Sequence, residues 1–168
     1  GQVIIGLKEN GFRCNGISSV RKALREKFGK NWYKNPKAKK FIRQAATPSV
    51  LYDMYVNTLH GWFSKDFKPE VGIKSVVHLS GGAFREKLAK DVLFPKKLSA
   101  ELSNLWQPPK IMLECAKWRK IEDEEFYEVW NGGQGMLLIV DQKDAKHAIE
   151  RAKDFGIKAK VVGKISKE

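Results

Sequence analysis

The sequence contains few cysteines, few histidines and no long apolar run. Cys14 and Cys115 lie far apart without C-x-x-C spacing, so a reducing setting is the simplest fit. His60, His78 and His147 are scattered, and neither metal-ligand spacing nor a pair of carboxylates is visible. No stretch approaches the roughly 18 consecutive apolar residues of a spanning helix. The first residues also lack the pattern of a secretory signal, and a cytoplasmic protein is expected.

Acidic residues are scarce as well. The chain has 19 Asp and Glu against 32 Lys and Arg, which gives a formal net charge of +13. This excess implies an anionic partner but does not choose between nucleic acid and a phosphorylated small molecule. A lysine-rich surface that serves solubility is a third explanation. The 42% hydrophobic content argues against disorder, and 168 residues suit one domain or one domain with a small appendage.

The apolar pattern predicts an α+β fold, a layered domain in which a mixed sheet of at least four strands is covered by helices. The predicted strands are 3–7, 73–79, 136–140 and 157–165. The predicted helices are 19–28, one that begins at Thr47-Pro48 and ends at Gly61, 83–90, 109–117, 123–130 and 143–155. The last two strands and the helix between them suggest a right-handed crossover unit. Residues 93–105 are predicted to be a loop, with a short strand near its end as the alternative.

The helix after Pro48 and the segment before it carry further expectations. In the helix after Pro48, a buried stripe is predicted that contains Val50, Leu51, Met54, Tyr55 and Leu59. Residues 29–44 are basic and contain Trp32, Tyr33 and Phe41, a combination that can bind single-stranded nucleic acid. Their charges are irregularly spaced, and this favours a mobile surface loop whose aromatic side chains dock on the domain.

The turn Ser80-Gly81-Gly82 is the strongest candidate for a binding site. It joins a Val- and Ile-rich strand to a helix, and free amides at a helix start favour an anion. A plain turn with glycines for packing is the equal alternative. His78 at the strand end faces either the core or the cleft, and a single histidine there is more often structural. In the cleft it is a candidate phosphate ligand or acid, which a nearby anion would hold in its protonated form. Arg21 opposes the dipole of its helix and is either a ligand contact or simply solvated.

A set of segments in fixed order carries a family resemblance. They are VIIGL, RCNGISSVRK, TPSVLY, VVHLSGGAFREKL, WQPP and EEFYEVWNGGQGM. They resemble the carboxyl-terminal domain of aminoimidazole ribonucleotide synthetase (phosphoribosylformylglycinamidine cyclo-ligase). The family patterns there are close to IGL, HSNGYSLVRK, PTRIY, HLTGGGFxEN, WxxP and EMYxxFNxGxGM. The resemblance implies one substrate-side domain over residues 1–168, with the amino-terminal nucleotide domain absent from this chain.

The resemblance also implies a function in purine biosynthesis. The family closes the ring of formylglycinamidine ribonucleotide at the expense of ATP. ATP and Mg²⁺ would bind the missing domain, and no cofactor is expected in this one. The expected partners are a phosphorylated small-molecule substrate and the nucleotide domain. A homodimer of the full-length protein is compatible with the resemblance. Membrane and nucleic acid are not expected partners. A basic nucleic-acid-binding module and a non-catalytic phosphometabolite-binding domain remain the alternatives.

The resemblance extends the site to three glycine loops, which contain Gly16, Gly81-Gly82 and Gly132, and which would gather at one end of the sheet. The substrate- or phosphate-binding residues would be Ser80, Gly81, Gly82, Asn15, Gly16, Arg21, Asn131 and Gly132, with His78 as the candidate catalytic residue. Several positions depart from the family pattern: its His, Ser, Arg, third Gly and Asn are replaced by Arg13, Cys14, Val50, Ala83 and Lys87. These departures indicate a related protein and leave the substrate open.

We predict that the purified chain does not hydrolyse ATP, because it contains no phosphate-plus-metal constellation of the kind that phosphoryl transfer needs. Phosphate release from ATP and Mg²⁺ is the measurement. Magnesium-dependent release that is abolished by a substitution within the chain would contradict the prediction.

Overall fold

A computed structural model describes residues 1–13 and 16–167, apart from the side chain of Ala83. It contains one five-stranded sheet with the strand order β2-β4-β1-β5-β3. The strands are β1 (Gln2–Lys8), β2 (Ile73–His78), β3 (Leu98–Leu102), β4 (Gln134–Asp141) and β5 (Ala159–Lys167). Helices cover the sheet, so the predicted α+β fold is confirmed. The third strand lies within residues 93–105, for which the sequence predicts a loop with a short strand as the alternative.

All four strand pairings are antiparallel, so the expected mixed sheet is a detail that the structure corrects. β4 and β5 run parallel to each other, since each pairs antiparallel with β1. They do not pair directly because β1 lies between them. The crossover from β4 to β5 therefore passes over one strand. Although β4 and β5 run in the same direction, they form no parallel ladder because they are not neighbours.

Six α-helices and one π-helix complete the described part of the fold. The α-helices are α1 (Ile17–Phe28), α2 (Lys39–Ala45), α3 (Asp53–His60), α4 (Lys110–Arg119), α5 (Asp123–Val129) and α6 (Gln142–Asp154). The π-helix Ala83–Leu93 follows the glycine turn. Short 3₁₀ turns occupy Trp32–Lys34, Pro36–Ala38 and Phe94–Lys96. Within these described elements, no helix has the length and apolar character that crossing a membrane requires.

The central strands are buried on both faces. On β1, Ile5 packs into a cluster with Tyr55 and Leu59 of α3 and with residues of α6. Its neighbour Ile4 points to the opposite face and packs with Leu88 of the π-helix. Successive side chains of a strand alternate between faces. A strand covered on both sides is therefore apolar at every position, and this explains the continuous VIIGL run.

A third core cluster lies among α1, α2, α4 and α5. It contains Val20, Leu24, Met112, Cys115 and Trp130, all with almost no exposed surface. Burial, with a smaller contribution from Glu114, raises the pKa of the Cys115 thiol to about 12. The thiol therefore stays protonated at neutral pH and behaves as a small apolar side chain.

Residues 29–44 are not a loop. They form two 3₁₀ turns and all of α2 except its last residue, because their aromatic side chains pack on the third cluster. The ring of Phe41 lies 5.6 Å from that of Phe28 and 5.0 Å from that of Trp118. Trp32 is half-buried against the same cluster. The predicted docking of aromatic side chains is thus observed, whereas the predicted irregular backbone is wrong.

The predicted helix start at Thr47-Pro48 is also wrong, since α3 begins at Asp53. The Thr47 hydroxyl donates to the carbonyl oxygen of Gln44 at 2.8 Å, at the end of α2. Leu51 is 80% exposed, so it does not belong to a buried stripe. The other end is as predicted: Gly61 has φ +84° and terminates the helix in the left-handed conformation.

We predict opposite outcomes for two leucines that the sequence places on the same stripe. Leu59 is fully buried, so Leu59→Ala should lower the free energy of unfolding by about 2–5 kcal/mol. Leu51→Ala, its matched control, should change it by no more than about 0.5 kcal/mol. Urea unfolding of both variants is the measurement, and similar losses would contradict the observed start of α3.

Candidate substrate-binding site

The three glycine loops meet at one end of the sheet. The end of β1 and the end of β2 lie beside the start of β4, with Lys8 opposite Gln134 and His78 opposite Met136. The loops also contact one another. The Asn131 side-chain amide donates to the carbonyl oxygen of Gly11 at 3.0 Å. The described residues of the predicted site therefore converge, with the exception of Arg21, while Asn15 lies outside the described part of the chain.

A buried carboxylate, that of Glu9, organises the first loop. Its side chain has no exposed surface. Oε1 accepts hydrogen bonds from the backbone N–H groups of Asn10 at 2.8 Å, Val50 at 3.3 Å and Gly11 at 3.4 Å. Oε2 accepts from Nη1 of Arg13 at 2.7 Å. A buried charge is tolerated only when it is paired and hydrogen-bonded, and Glu9 meets both conditions.

Tyr52 completes the surroundings of this carboxylate. Its hydroxyl donates to the carbonyl oxygen of Lys8 at 2.7 Å and lies 3.5 Å from Oε2 of Glu9. Burial and, secondarily, the charge of Glu9 raise the pKa of Tyr52 above its usual value. The phenol therefore remains a hydrogen-bond donor. The face of its ring also contacts the guanidinium of Arg13, 5.5 Å from the ring centroid.

Arg13 links this buried carboxylate to His78 at the end of β2. Nη2 of Arg13 lies 2.7 Å from Nε2 of His78. A guanidinium can only donate, so the imidazole accepts through Nε2 and is neutral in this arrangement. Burial, followed by the charges of Arg13 and Lys87, lowers the pKa of His78. The charges of Arg13 and Lys87 thus act against the protonated form that was expected beside an anion.

The turn Ser80-Gly81-Gly82 adopts the predicted position between strand and helix. Gly82 has φ +69°, a conformation that favours glycine. Its N–H is not free, because it donates to the carbonyl oxygen of Glu128 at 2.6 Å. Ser80 is buried, and a side chain added at Gly81 would face the carbonyls of Glu128 and Val129. Gly82 therefore serves the contact with α5, and its amide is not available to an anion.

Three of the residues predicted to bind substrate stabilise the packing at this junction. Asn131 is buried, and its side chain bonds both Gly11 and the N–H of Gly133. A side chain at Gly132 would overlap the ring of Tyr127, and one at Gly16 would overlap that of Trp130. The side-chain amide of Asn131 is already occupied on both sides. A role of these three residues in binding substrate stays a prediction.

Arg21 lies elsewhere on the surface. It lines a groove of about 480 Å³ together with Trp32 and Tyr33. The glycine turn borders a different cavity, of about 210 Å³, which includes Gly82, Glu124 and Glu128. The structure therefore does not bring Arg21 together with the turn.

Sequence reasoning missed Glu9 and Tyr52. The available signal was weak: a carboxylate directly after a continuous apolar strand, followed by Asn10-Gly11. The partners of Glu9 could not be read from that signal, because Val50 is 41 residues away. Across residues 1–13 and 16–167, no group of three or more His, Cys, Asp and Glu side chains could hold a metal ion. The chemistry that the junction offers is that of cations and an imidazole toward an anion.

Comparison with known proteins identifies the family. A family model described as "AIR synthase related protein, C-terminal domain" matches residues 1–168. The chain is 32% identical to the phosphoribosylformylglycinamidine cyclo-ligase of Caldanaerobacter subterraneus subsp. tengcongensis, covering 98% of this chain and 47% of that protein. It is 34% identical to the Staphylococcus aureus (strain MRSA252) enzyme of the same name, covering 99% and 46%. The chain thus spans about half the length of these relatives.

Solved structures agree on the fold. The crystal structure of tt0281 from Thermus thermophilus matches all of this chain and 47% of its own, with a TM-score of 0.57 and 16% identity. PurLQS from Thermotoga maritima matches all of this chain and 22% of its own, with a TM-score of 0.50 and 13% identity. The family model spans every residue, and the cyclo-ligases are similar over nearly the whole chain. The chain therefore belongs to the AIR synthase related family and corresponds to its C-terminal domain.

Proposed function

We propose that this chain is the substrate-side domain of an ATP-dependent cyclo-ligase or of a related protein. In this proposal it binds the phosphate of its substrate where the three glycine loops meet. The relatives that are named phosphoribosylformylglycinamidine cyclo-ligase support this proposal, as does the position of Arg13. ATP and Mg²⁺ would be held by a second domain, and the ring closure would need both.

The observation that carries the proposal is a guanidinium held in place from behind. Glu9 is buried and fixes Nη1 of Arg13, while Nη2 extends to His78 at the exposed end of β2. An arginine held by one carboxylate keeps its permanent charge and its planar donors for an oxyanion. Lys87 on the π-helix adds a second cation whose charge reaches His78. These side chains, more than the amides of the turn, would hold the phosphate.

The contact between Arg13 and His78 suggests how an anion would bind. The guanidinium can only donate and needs Nε2 of His78 as the acceptor. Protonation of Nε2 would therefore break their hydrogen bond. An oxyanion placed between them could accept from both, and its charge would favour the imidazolium. In this arrangement His78 becomes a proton donor only when the ligand is present. It could then serve as an acid in ring closure.

We predict that sulfate raises the pKa of His78. In the free chain, burial and the two cations lower the pKa of His78 below its usual value of about 6.5. The folded chain therefore loses stability as the pH falls from about 6.5 to the lowered pKa, because the unfolded chain takes up the proton more readily. Sulfate remains a dianion across this range, and its binding should take up a proton and become stronger at lower pH. NMR titration of the His78 ring with and without sulfate is the measurement. The ring of His60 is the control, and an unchanged His78 titration would contradict the prediction.

We predict that His78→Ala and Lys87→Gln each weaken the binding of ribose 5-phosphate by about tenfold, since each removes a donor to a charged oxygen. His78 is exposed, so its loss should spare the fold. Arg13→Gln is a poorer test because it would leave Glu9 buried and unpaired, at a cost of about 3–5 kcal/mol.

The matched control for Lys87→Gln is Arg85→Gln on the same π-helix. Arg85 lies 3.5 Å from a carboxylate oxygen of Glu128 and 4.0 Å from one of Glu124, so its charge is offset locally. Calorimetric titration should show unchanged affinity for this control. Equal losses in both variants would indicate a general charge effect and overturn the proposed site.

A non-catalytic phosphometabolite-binding domain would bind the same probe. Ring closure separates the two alternatives, because it requires the nucleotide domain as well. If the longest natural form of the protein binds ribose 5-phosphate but does not release phosphate from ATP with any ribonucleotide that carries an amidine, the ligase half of the proposal is wrong and the binding half stands.

A further inference from the structure

One segment of the chain carries far more positive charge than the proposed phosphate site needs. Residues 17–43 contain ten Lys and Arg and a single acid, Glu26. None of these ten cations forms an ion pair with a carboxylate in the described part of the chain. Unneutralised like charges on one folded segment repel one another. Such a surface is stabilised by a partner that supplies several negative charges.

A groove on this surface concentrates the charge. It lies between α1 and the 3₁₀ turn Trp32–Lys34 and has a volume of about 480 Å³. Its lining includes four basic side chains and two aromatic rings, those of Arg21, Lys22, Arg25, Lys30, Trp32 and Tyr33, and no acidic side chain. Arg21 and Arg25 are four residues apart on α1, so they lie on the same side of the helix.

The aromatic rings are held in place beside these cations. Trp32 packs partly into the third core cluster, and its ring is edge-on to that of Tyr33, with centroids 5.9 Å apart. Tyr33 is 59% exposed, and Nζ of Lys34 lies over its ring, 5.9 Å from the centroid. The backbone of the turn is ordered by the hydrogen bond from the N–H of Asn35 to the carbonyl oxygen of Trp32.

This arrangement removes the reason for not expecting nucleic acid. That expectation rested on a loop whose charges share no face. The structure replaces the loop with turns that place Lys30, Trp32 and Tyr33 beside the arginines of α1. Four of the ten cations of residues 17–43 therefore line one groove together with two aromatic rings.

We propose that this groove binds single-stranded nucleic acid, as a function additional to the proposed substrate site. Such a ligand supplies one phosphate per nucleotide for the cations and one base per nucleotide for stacking on an exposed ring. An acidic peptide would use the charges but not the ring of Tyr33. A membrane would need an apolar face beside the cations. Within residues 17–43, the large apolar side chains that are exposed are those of Ile17 and Tyr33.

The first test is salt-dependent binding to the purified chain. The probes are fluorescent oligothymidylate and oligouridylate of about twelve nucleotides, followed by anisotropy. Contacts with four phosphates give a slope of roughly −3 in log affinity against log salt. The affinity should then fall about 50-fold between about 50 and 200 mM salt. Undetectable binding at the lower salt would overturn the proposal.

The second test separates the groove from net charge. Arg21→Gln combined with Arg25→Gln removes two charges from the groove. The control, Lys146→Gln combined with Lys153→Gln, removes two exposed charges from α6. The groove variant should lose about tenfold or more in affinity and reduce the salt slope by about 1.4, while the control should lose little. Equal losses would show that only the overall charge acts, which overturns the proposal.

The third test concerns the ring. Tyr33→Ala should weaken binding by about fivefold or more, as expected for the loss of one stacked base. Phe63→Ala is the matched control, because Phe63 is similarly exposed, at 56%, and lies outside the groove. Unequal effects in this direction support the proposal. An affinity unchanged by Tyr33→Ala, or tighter binding of polyglutamate or phosphatidylserine vesicles than of the oligonucleotides, would overturn it.

Discussion

The buried carboxylate of Glu9 is the interaction on which the junction of the three glycine loops depends. It receives hydrogen bonds from its own loop, from the backbone before α3 and from Arg13. Leaving any of these donors out would leave a charge in the interior without full compensation, which is costly. The loop is therefore determined by the need to satisfy one side chain. The position of Arg13 follows from it, and so does the contact with His78.

The sheet provides the rigid base for this junction. β1 and β4 are covered on both faces, so their ends are constrained by two core clusters at once. The glycine loops leave the sheet at that constrained end, and close packing against Tyr52, Tyr127 and Trp130 uses several of the glycines. Glycines that resemble a ligand-binding motif thus also serve packing. The two interpretations of such glycines, anion binding and close packing, are compatible at one junction.

Positive charge is used in two different ways on this molecule. Arg13 is compensated by Glu9 inside the domain and presents one directed guanidinium. The groove beside α1 gathers cations that no described carboxylate offsets, together with exposed aromatic surface. The first arrangement suits one well-placed oxyanion. The second suits a flexible polyanion whose affinity depends on the number of contacts and on salt.

The sequence by itself determined the class of fold, most strands and helices, the glycine turn after β2 and the family, because these depend on local periodicity and ordered motifs. Tertiary structure alone decided the antiparallel pairing, the late start of α3 and the partners of Glu9. It also decided the contact of Arg13 with His78, which lies 65 residues away. Local patterns record which face of an element is apolar. They do not record which distant donor reaches a buried charge, since that depends on how the elements pack.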